Sequence, residues 1–333
     1  MAYGSRLWFD PAMNEIRHRQ IVTNGISMHV AEAGAGFPIV MVHGFPELWY
    51  SWRHQLPFLA ANGFHAIAPD MRGYGGTDAP ADPREYATSK ICADIAGLLD
   101  VLGLEKAVIA GHDWGGFHIW QFALRYPERT AGLIGLNTPY GAPPPPVKYS
   151  DALRAAFGQA DTSYYMLYFQ KPGVAEAELE ADVRGNLAKM FHRWDRAQDL
   201  WTFATVGGDG SGVLRNVEPG GTLLTEAELD VYTEAFSRTG FRGGLNWYRG
   251  FDYTWEEVRA LKDYHINVPT LMITAENDLI LRPEQAEPMR QWIPDLRIEQ
   301  IKHCSHWTQQ ERPDQVNALM LEFLLKLPIT AAS

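Results

Sequence analysis

The stretch Val108-Ile109-Ala110-Gly111-His112-Asp113-Trp114-Gly115-Gly116 constrains this chain more than any other. An apolar β-type run stops at Gly111, Asp113 follows two residues later, and Gly115-Gly116 open a helical pattern that runs from Phe117 to Tyr126. This spacing reads as a strand-to-helix turn so sharp that small residues must flank the side chain displayed at its apex. Serine is the commoner residue at such an apex, and it needs a base. Aspartate does not. Its carboxylate is ionised at neutral pH, and attack on an electrophilic carbon makes an alkyl ester of the chain itself. Hydrolysis of that ester needs an activated water, so a base is expected elsewhere in the sequence.

The 333 residues are long enough for a large core, and 46% hydrophobic with 21% charged residues is the balance of a soluble enzyme. A net charge of −11 without a basic tract argues against nucleic acid or an anionic membrane as partner. The two cysteines, Cys92 and Cys304, form no metal or redox spacing and read as small core residues. No metal or cofactor is expected. The N-terminus carries Arg6, Asp10, Glu15 and Arg17 without an apolar segment, and no run is long enough for a membrane span. The expected location is cytoplasmic.

Along the chain, residues 19–23 and 26–31 flank Asn24-Gly25 and read as a hairpin. Short apolar strands at 38–42, 65–69, 106–110 and 133–136 alternate with helical patterns at 49–61, 89–102 and 117–126. That βαβ rhythm implies a mostly parallel sheet flanked by helices. It halts at Gly141-Ala142 and the four prolines 143–146, a stiff junction. Helical patterns at 151–168, 176–194 and 225–237 follow, interrupted by glycine-rich pieces at 207–212 and 219–221. The rhythm resumes with strands at 269–275 and 296–301 and a helix at 314–327. We therefore expect an α/β core from residues 1–140 and 250–333, with a helical insert at 141–249.

Three segments end apolar runs on functional groups: Asp113, then Glu276-Asn277-Asp278 after 271–275, then His303-Cys304-Ser305-His306-Trp307 after 296–301. Loops past the carboxyl ends of parallel strands converge, and the order nucleophile, acid, histidine is that of an α/β-hydrolase. Asp113 would attack carbon, His306 would deprotonate a water, and Asp278 would orient and stabilise the imidazolium, with Glu276 as a partial stand-in. His43-Gly44-Phe45-Pro46 ends the strand at 38–42, so the N–H groups of Phe45 and Trp114 could form an oxyanion hole. His43 reads as a residue that orders this loop rather than as a second base.

In these motifs the chain resembles the epoxide hydrolases of the α/β-hydrolase fold, typified by the hydrolase domain of mammalian soluble epoxide hydrolase and its plant and bacterial relatives. The resemblance runs from about Arg19 to Leu327. It is carried by His43-Gly44-Phe45-Pro46-Glu47, the Asp113 motif and His306-Trp307-Thr308-Gln309. The insert adds Leu167-Tyr168-Phe169-Gln170, Pro172-Gly173-Val174-Ala175-Glu176-Ala177-Glu178 and the run from Gly240 to Arg249.

The resemblance implies an inserted helical cap, a small lipophilic epoxide and water as substrates, and a detoxifying hydrolase that needs no cofactor. It also implies two cap tyrosines opposite Asp113, placed here at Tyr168 and Tyr232. A phenol there can hydrogen-bond the opening alkoxide. Tyr164, Tyr165 and Tyr248 are read as packing residues among the 14 tyrosines. Glu47 is expected either near the hydrolytic water or in a structural role. Phe45, Trp114 and Trp307 should line an apolar pocket. Ser305 departs from the glycine usual before the catalytic histidine, and no counterpart of the additional N-terminal domain of the mammalian members is expected. A haloalkane or haloacid dehalogenase is the alternative. It is disfavoured by Phe45, where the haloalkane enzymes carry a halide-holding Asn or Trp, and by Trp114, where fluoroacetate dehalogenases carry Arg. A serine esterase is excluded by Asp113. A silent binding protein would be expected to lack one of these groups.

Overall fold

The apolar runs become strands covered on both faces. The computed structural model describes residues 15–161, 164–193, 212–214, 217 and 221–329. Its eight strands are Arg17–Thr23 (β1), Ile26–Ala33 (β2), Phe37–Val42 (β3), Phe64–Pro69 (β4), Ala107–His112 (β5), Thr130–Leu136 (β6), Thr270–Ala275 (β7) and Leu296–Ile301 (β8). They form one sheet in the order β1-β2-β4-β3-β5-β6-β7-β8. The pairs β1–β2 and β2–β4 are antiparallel and every later pair is parallel. Asn24 and Gly25 both take positive φ, as the tight turn between β1 and β2 requires.

The central strands divide their side chains with period two. In β3, Ile39 and Met41 join one buried cluster while Val40 and Val42 join the other; in β5, Val108 and Ala110 part from Ala107 and Ile109 in the same way. Of the helices, Gln55–Ala61 (α1) covers the first face, where its Leu56 and Leu59 join the cluster. Thr88–Val101 (α2) and Trp114–Arg125 (α3) cover the second through Ile91, Ile95, Leu98, Ile119 and Phe122. Each such buried aliphatic side chain contributes about 1.5–3 kcal/mol relative to an exposed one. The sequence-based helix at 49–61 is in fact a short 3-10 turn, Trp49–Trp52, followed by α1. Pro57 explains the break, because starting the helix at Gln55 places the proline in its first turn, where no N–H is needed.

Between β6 and β7 lie Tyr149–Phe157 (α4), Tyr165–Tyr168 (α5), Val174–Ala181 (α6), Val183–Met190 (α7), Glu226–Thr239 (α8), Arg242–Arg249 (α9) and Phe251–Val258 (α10). The pattern expected as one helix at 151–168 ends at Gly158, whose φ is +119°. The pattern at 176–194 breaks at Asp182, which turns its side chain to accept the Gly185 N–H and start α7. Trp194 and most of the glycine-rich stretches 207–212 and 219–221 lie outside the described residues. Thr225 and Glu228 close a capping box at the start of α8. Glu228 also accepts from Arg53 of the core at 2.8 Å, and Trp247 of α9 donates to the Arg72 carbonyl at 2.9 Å, so the insert is tied to the core by polar contacts as well as apolar ones. The chain closes with Thr308–Glu311 (α11) and Pro313–Leu324 (α12), the latter packing Val316, Met320 and Phe323 onto the α1 face. Among the described residues no helix is long and apolar enough to cross a membrane.

Candidate active site

Asp113 stands at the apex that its sequence context demands. It follows β5 directly and caps α3 with φ 53° and ψ −121°. Its neighbours are small because the turn leaves no room: a Cβ on Gly111 would lie 2.4 Å from the Gly115 carbonyl oxygen, and one on Gly115 would lie 2.2 Å from that of Val42. The backbone is clamped where Thr138 Oγ1 donates to the Asp113 carbonyl at 2.6 Å. The side chain faces the loop after β3, where the Phe45 N–H donates to Asp113 Oδ1 at 2.9 Å. The Trp114 N–H also donates to this carboxylate. Burial raises the Asp113 pKa above the ordinary carboxylate value, against the opposing pull of His306, His112 and these two donors.

His306 approaches from the loop after β8. Its Nε2 is 3.6 Å from Asp113 Oδ2, and its Nδ1 is 2.8 Å from Asp278 Oδ2. Asp278, three residues past β7, is held by the N–H groups of Ile280 and Leu281 at 3.1 and 3.0 Å and by the Asn137 amide at 2.8 Å. Burial opposes the Asp278 charge, but His306 and these donors keep its pKa below the ordinary range. Burial likewise opposes the imidazolium. The carboxylates of Asp278, Asp113 and Glu47 outweigh it and raise the His306 pKa to about 9. Glu276 is engaged elsewhere, by Lys302 Nζ at 3.0 Å and the His303 N–H at 2.9 Å, so it is no stand-in for Asp278.

Asn137 escaped the sequence reading. It follows β6 directly with φ 64°, donates its N–H to the Ile273 carbonyl across the sheet, and places its amide between Asp278 and Thr308. An Asn just past a predicted strand was the available signal. Glu47 is fully buried and accepts from Gly44 N–H at 2.8 Å, Gln309 at 2.8 Å and His112 Nδ1 at 2.7 Å. Burial opposes its charge, but His112 and the Gly44 N–H hold its pKa down at about 2. His112 Nε2 then reaches the His306 carbonyl at 2.7 Å, so Glu47 is linked to the His306 backbone through one intervening ring. His43 accepts the Met71 N–H and bonds the Gly44 carbonyl, both at 2.9 Å, which orders its loop. Ser305 is accommodated by two bonds to Glu311, at 3.0 and 2.6 Å. Both cysteines are buried in the core.

The tyrosine expectation needs correction. Tyr168 turns to Glu178, and the Tyr232 hydroxyl meets Ser51 Oγ at 2.7 Å and Gln310 Oε1 at 3.2 Å; neither lines the cavity at Asp113. Tyr165 and Tyr248 line it instead, beside Phe45, Met190, His306 and Trp307. Tyr165 and Tyr168 open and close the four-residue α5, and of the two only Tyr165 borders the cavity. Tyr248 is placed by glycines. A Cβ on Gly243 would lie 2.1 Å from the Gly73 carbonyl oxygen and one on Gly244 would lie 2.7 Å from the Phe45 ring, so α9 rests directly on the core loops. Tyr248, one turn beyond Gly244, meets the Phe45 and Trp114 rings at 5.3 and 4.9 Å. The Trp114 indole, which can only donate, bonds the Tyr248 oxygen and leaves the phenol its proton to give. Burial and the Asp113 charge hold both phenols well above their usual pKa, which keeps them neutral. Among the described residues no cluster of three His, Cys, Asp or Glu side chains is arranged to hold a metal.

The strand order and the strand–turn–helix at Asp113 define an α/β hydrolase, and residues 38–313 match the family described as the alpha/beta hydrolase fold. The chain is 41% identical over 319 residues to epoxide hydrolase A of Mycobacterium tuberculosis, covering 93% of this chain and 98% of that protein. It is also 41% identical over 317 residues to bifunctional epoxide hydrolase 2 of mouse, covering 93% of this chain but 56% of that relative, so it spans about half the mouse protein's length. The crystal structure of epoxide hydrolase A from Mycobacterium thermoresistibile superimposes with a TM-score of 0.87 at 39% identity, covering 95% of this chain and all of that one. Within the α/β hydrolases, this chain belongs to the epoxide hydrolase family.

Proposed function

We propose that the chain hydrolyses a small lipophilic epoxide to a vicinal diol through an ester on Asp113. The observation that carries the reading is the facing of one carboxylate by two neutral phenols across an apolar cavity, with an imidazole at its side. Asp113 Oδ1 is held by the Phe45 N–H, which leaves Oδ2, the oxygen nearer His306, to attack a ring carbon. As the C–O bond breaks, Tyr165 and Tyr248 donate to the epoxide oxygen, which a bare alkoxide leaving group needs. His306 then removes a proton from water as the water attacks the ester carbon. Charge passes to Oδ1, where the Phe45 and Trp114 N–H groups already point, and Asp278 steadies the imidazolium. Collapse expels the diol oxygen, which takes its proton from the His306 imidazolium, and restores the carboxylate. Phe45 and Trp307, with Trp114 beside them, supply the apolar lining.

The test is a single turnover in heavy-oxygen water. The diol should emerge mostly unlabelled and the label should appear in Asp113. Label passing directly into the diol would point to water attacking the epoxide and overturn the covalent route.

A further inference from the structure

Two spaces of unequal size meet at Asp113. The first, about 70 Å³, is bounded by Phe45, Pro46, Met190, Tyr248, His306 and Trp307. The second, about 260 Å³, is bounded by Trp114, Phe117, Tyr164, Met166, Phe251 and Gln285. Asp113, Tyr165, Ile280 and Leu281 border both, so the reacting carboxylate and one phenol stand where the two join.

The small space is firmly walled. The Trp307 indole donates to the Met190 carbonyl at 3.1 Å, and its ring lies 4.5 Å from Phe191. An apolar cavity of about 150 Å³ is what one benzene ring occupies. The 70 Å³ space is less than half of that, and it must also admit the water that His306 activates. The large space has the room and the surface for an aryl group. Trp114, Phe117 and Phe251 meet edge-to-face at 5.2–5.8 Å along it, and Gln285 at its border is exposed to solvent.

We infer that the substrates are epoxides with a bulky apolar group, aryl by preference, on one ring carbon and nothing larger than methyl on the other. This rests on the epoxide reading above. The bulky group occupies the aromatic arm. The small group shares the closed arm with the hydrolytic water, and a second aryl group there would collide with Met190 and Trp307 and displace that water.

The test compares kcat/KM of the full chain on phenyl, phenyl–methyl and trans-diphenyl epoxides. The first two should agree within about tenfold, and the diphenyl compound should be at least about 100-fold slower, since even one misfit methylene in a pocket costs roughly 10- to 200-fold. Met190→Ala should raise the diphenyl-to-phenyl ratio about tenfold. Met166→Trp, on the opposite arm, should lower the ratio of phenyl to methyl-only epoxide by about as much, and it carries the test should Met190→Ala melt early. A diphenyl epoxide turned over as fast as the phenyl one, or ratios unmoved in folded variants, overturns the inference and leaves the reaction standing. A chain that hydrolyses no epoxide in the panel overturns the reaction itself, and this inference falls with it.

Discussion

His306 Nε2 lies 3.6 Å from Asp113 Oδ2, the distance of an ion pair rather than of a hydrogen bond. The resting site therefore pairs an imidazolium with a carboxylate but leaves the imidazole edge open to a water. The charge that keeps His306 protonated belongs in part to the group that ester formation neutralises. On the proposed route, alkylation of Asp113 removes one of the carboxylates that raise the His306 pKa to about 9, and so converts His306 into a base at the step that needs one.

Asp113→Asn mimics the charge of the ester. Titration of the His306 imidazole by NMR should show its pKa falling below the value of about 9 in the parent chain. A midpoint that stays at 9 would mean that Asp113 does not set it.

His306→Gln should leave alkylation running and stall hydrolysis. Intact-protein mass spectrometry on mixing with an epoxide should then show an adduct equal to the substrate mass. Absence of any adduct in a folded variant that still turns over would assign the base elsewhere. Asp278→Asn should slow turnover by up to about 10⁴-fold, with no rescue from Glu276, which is committed to Lys302 and His303.

The four tyrosines separate cleanly. Tyr165→Phe and Tyr248→Phe should each slow alkylation by roughly 10- to 100-fold, the low end of what one hydrogen bond to developing charge supplies, and the double change should nearly abolish it. Tyr168→Phe should leave alkylation within about threefold. Tyr232→Phe should do the same while lowering unfolding free energy by about 1–3 kcal/mol, because Ser51 and Gln310 lose their buried partner. Pre-steady-state alkylation rates and urea melts distinguish these outcomes. Equal catalytic losses at Tyr232 and Tyr248 would contradict the assignment.

His306 also links stability to pH. Its folded pKa, about 9, is above the unfolded value of 6.5, so the folded state binds the proton more tightly. The stabilisation is complete below pH 6.5 and fades as pH rises through 9. Denaturant melts should show the advantage of the parent chain over His306→Gln shrinking across that window. A constant difference would disprove the linkage.

What the sequence showed plainly was local. Asp113 is announced by glycines within three residues of it and by an apolar strand before it, and His306 and Asp278 follow predicted strands at the same end of the sheet. The tyrosines are a different matter. Whether Tyr168 or Tyr165 faces the cavity depends on the orientation of a four-residue helix, α5, which no periodicity can set over so short a span. Tyr248 was legible in principle, since Gly243-Gly244 marks a helix pressed against backbone and Tyr248 lies one turn on. Asn137 depends on the β6–β7 register, a long-range fact.

Phe45 and Trp114 give the same two N–H groups to the Asp113 carboxylate at rest, and on the proposed route they keep hold of it as ester and as tetrahedral adduct. One pair of backbone donors thus serves three successive forms of one oxygen. No new donor has to be brought to that oxygen between turnovers; only the protons on His306 and the two phenols have to be restored.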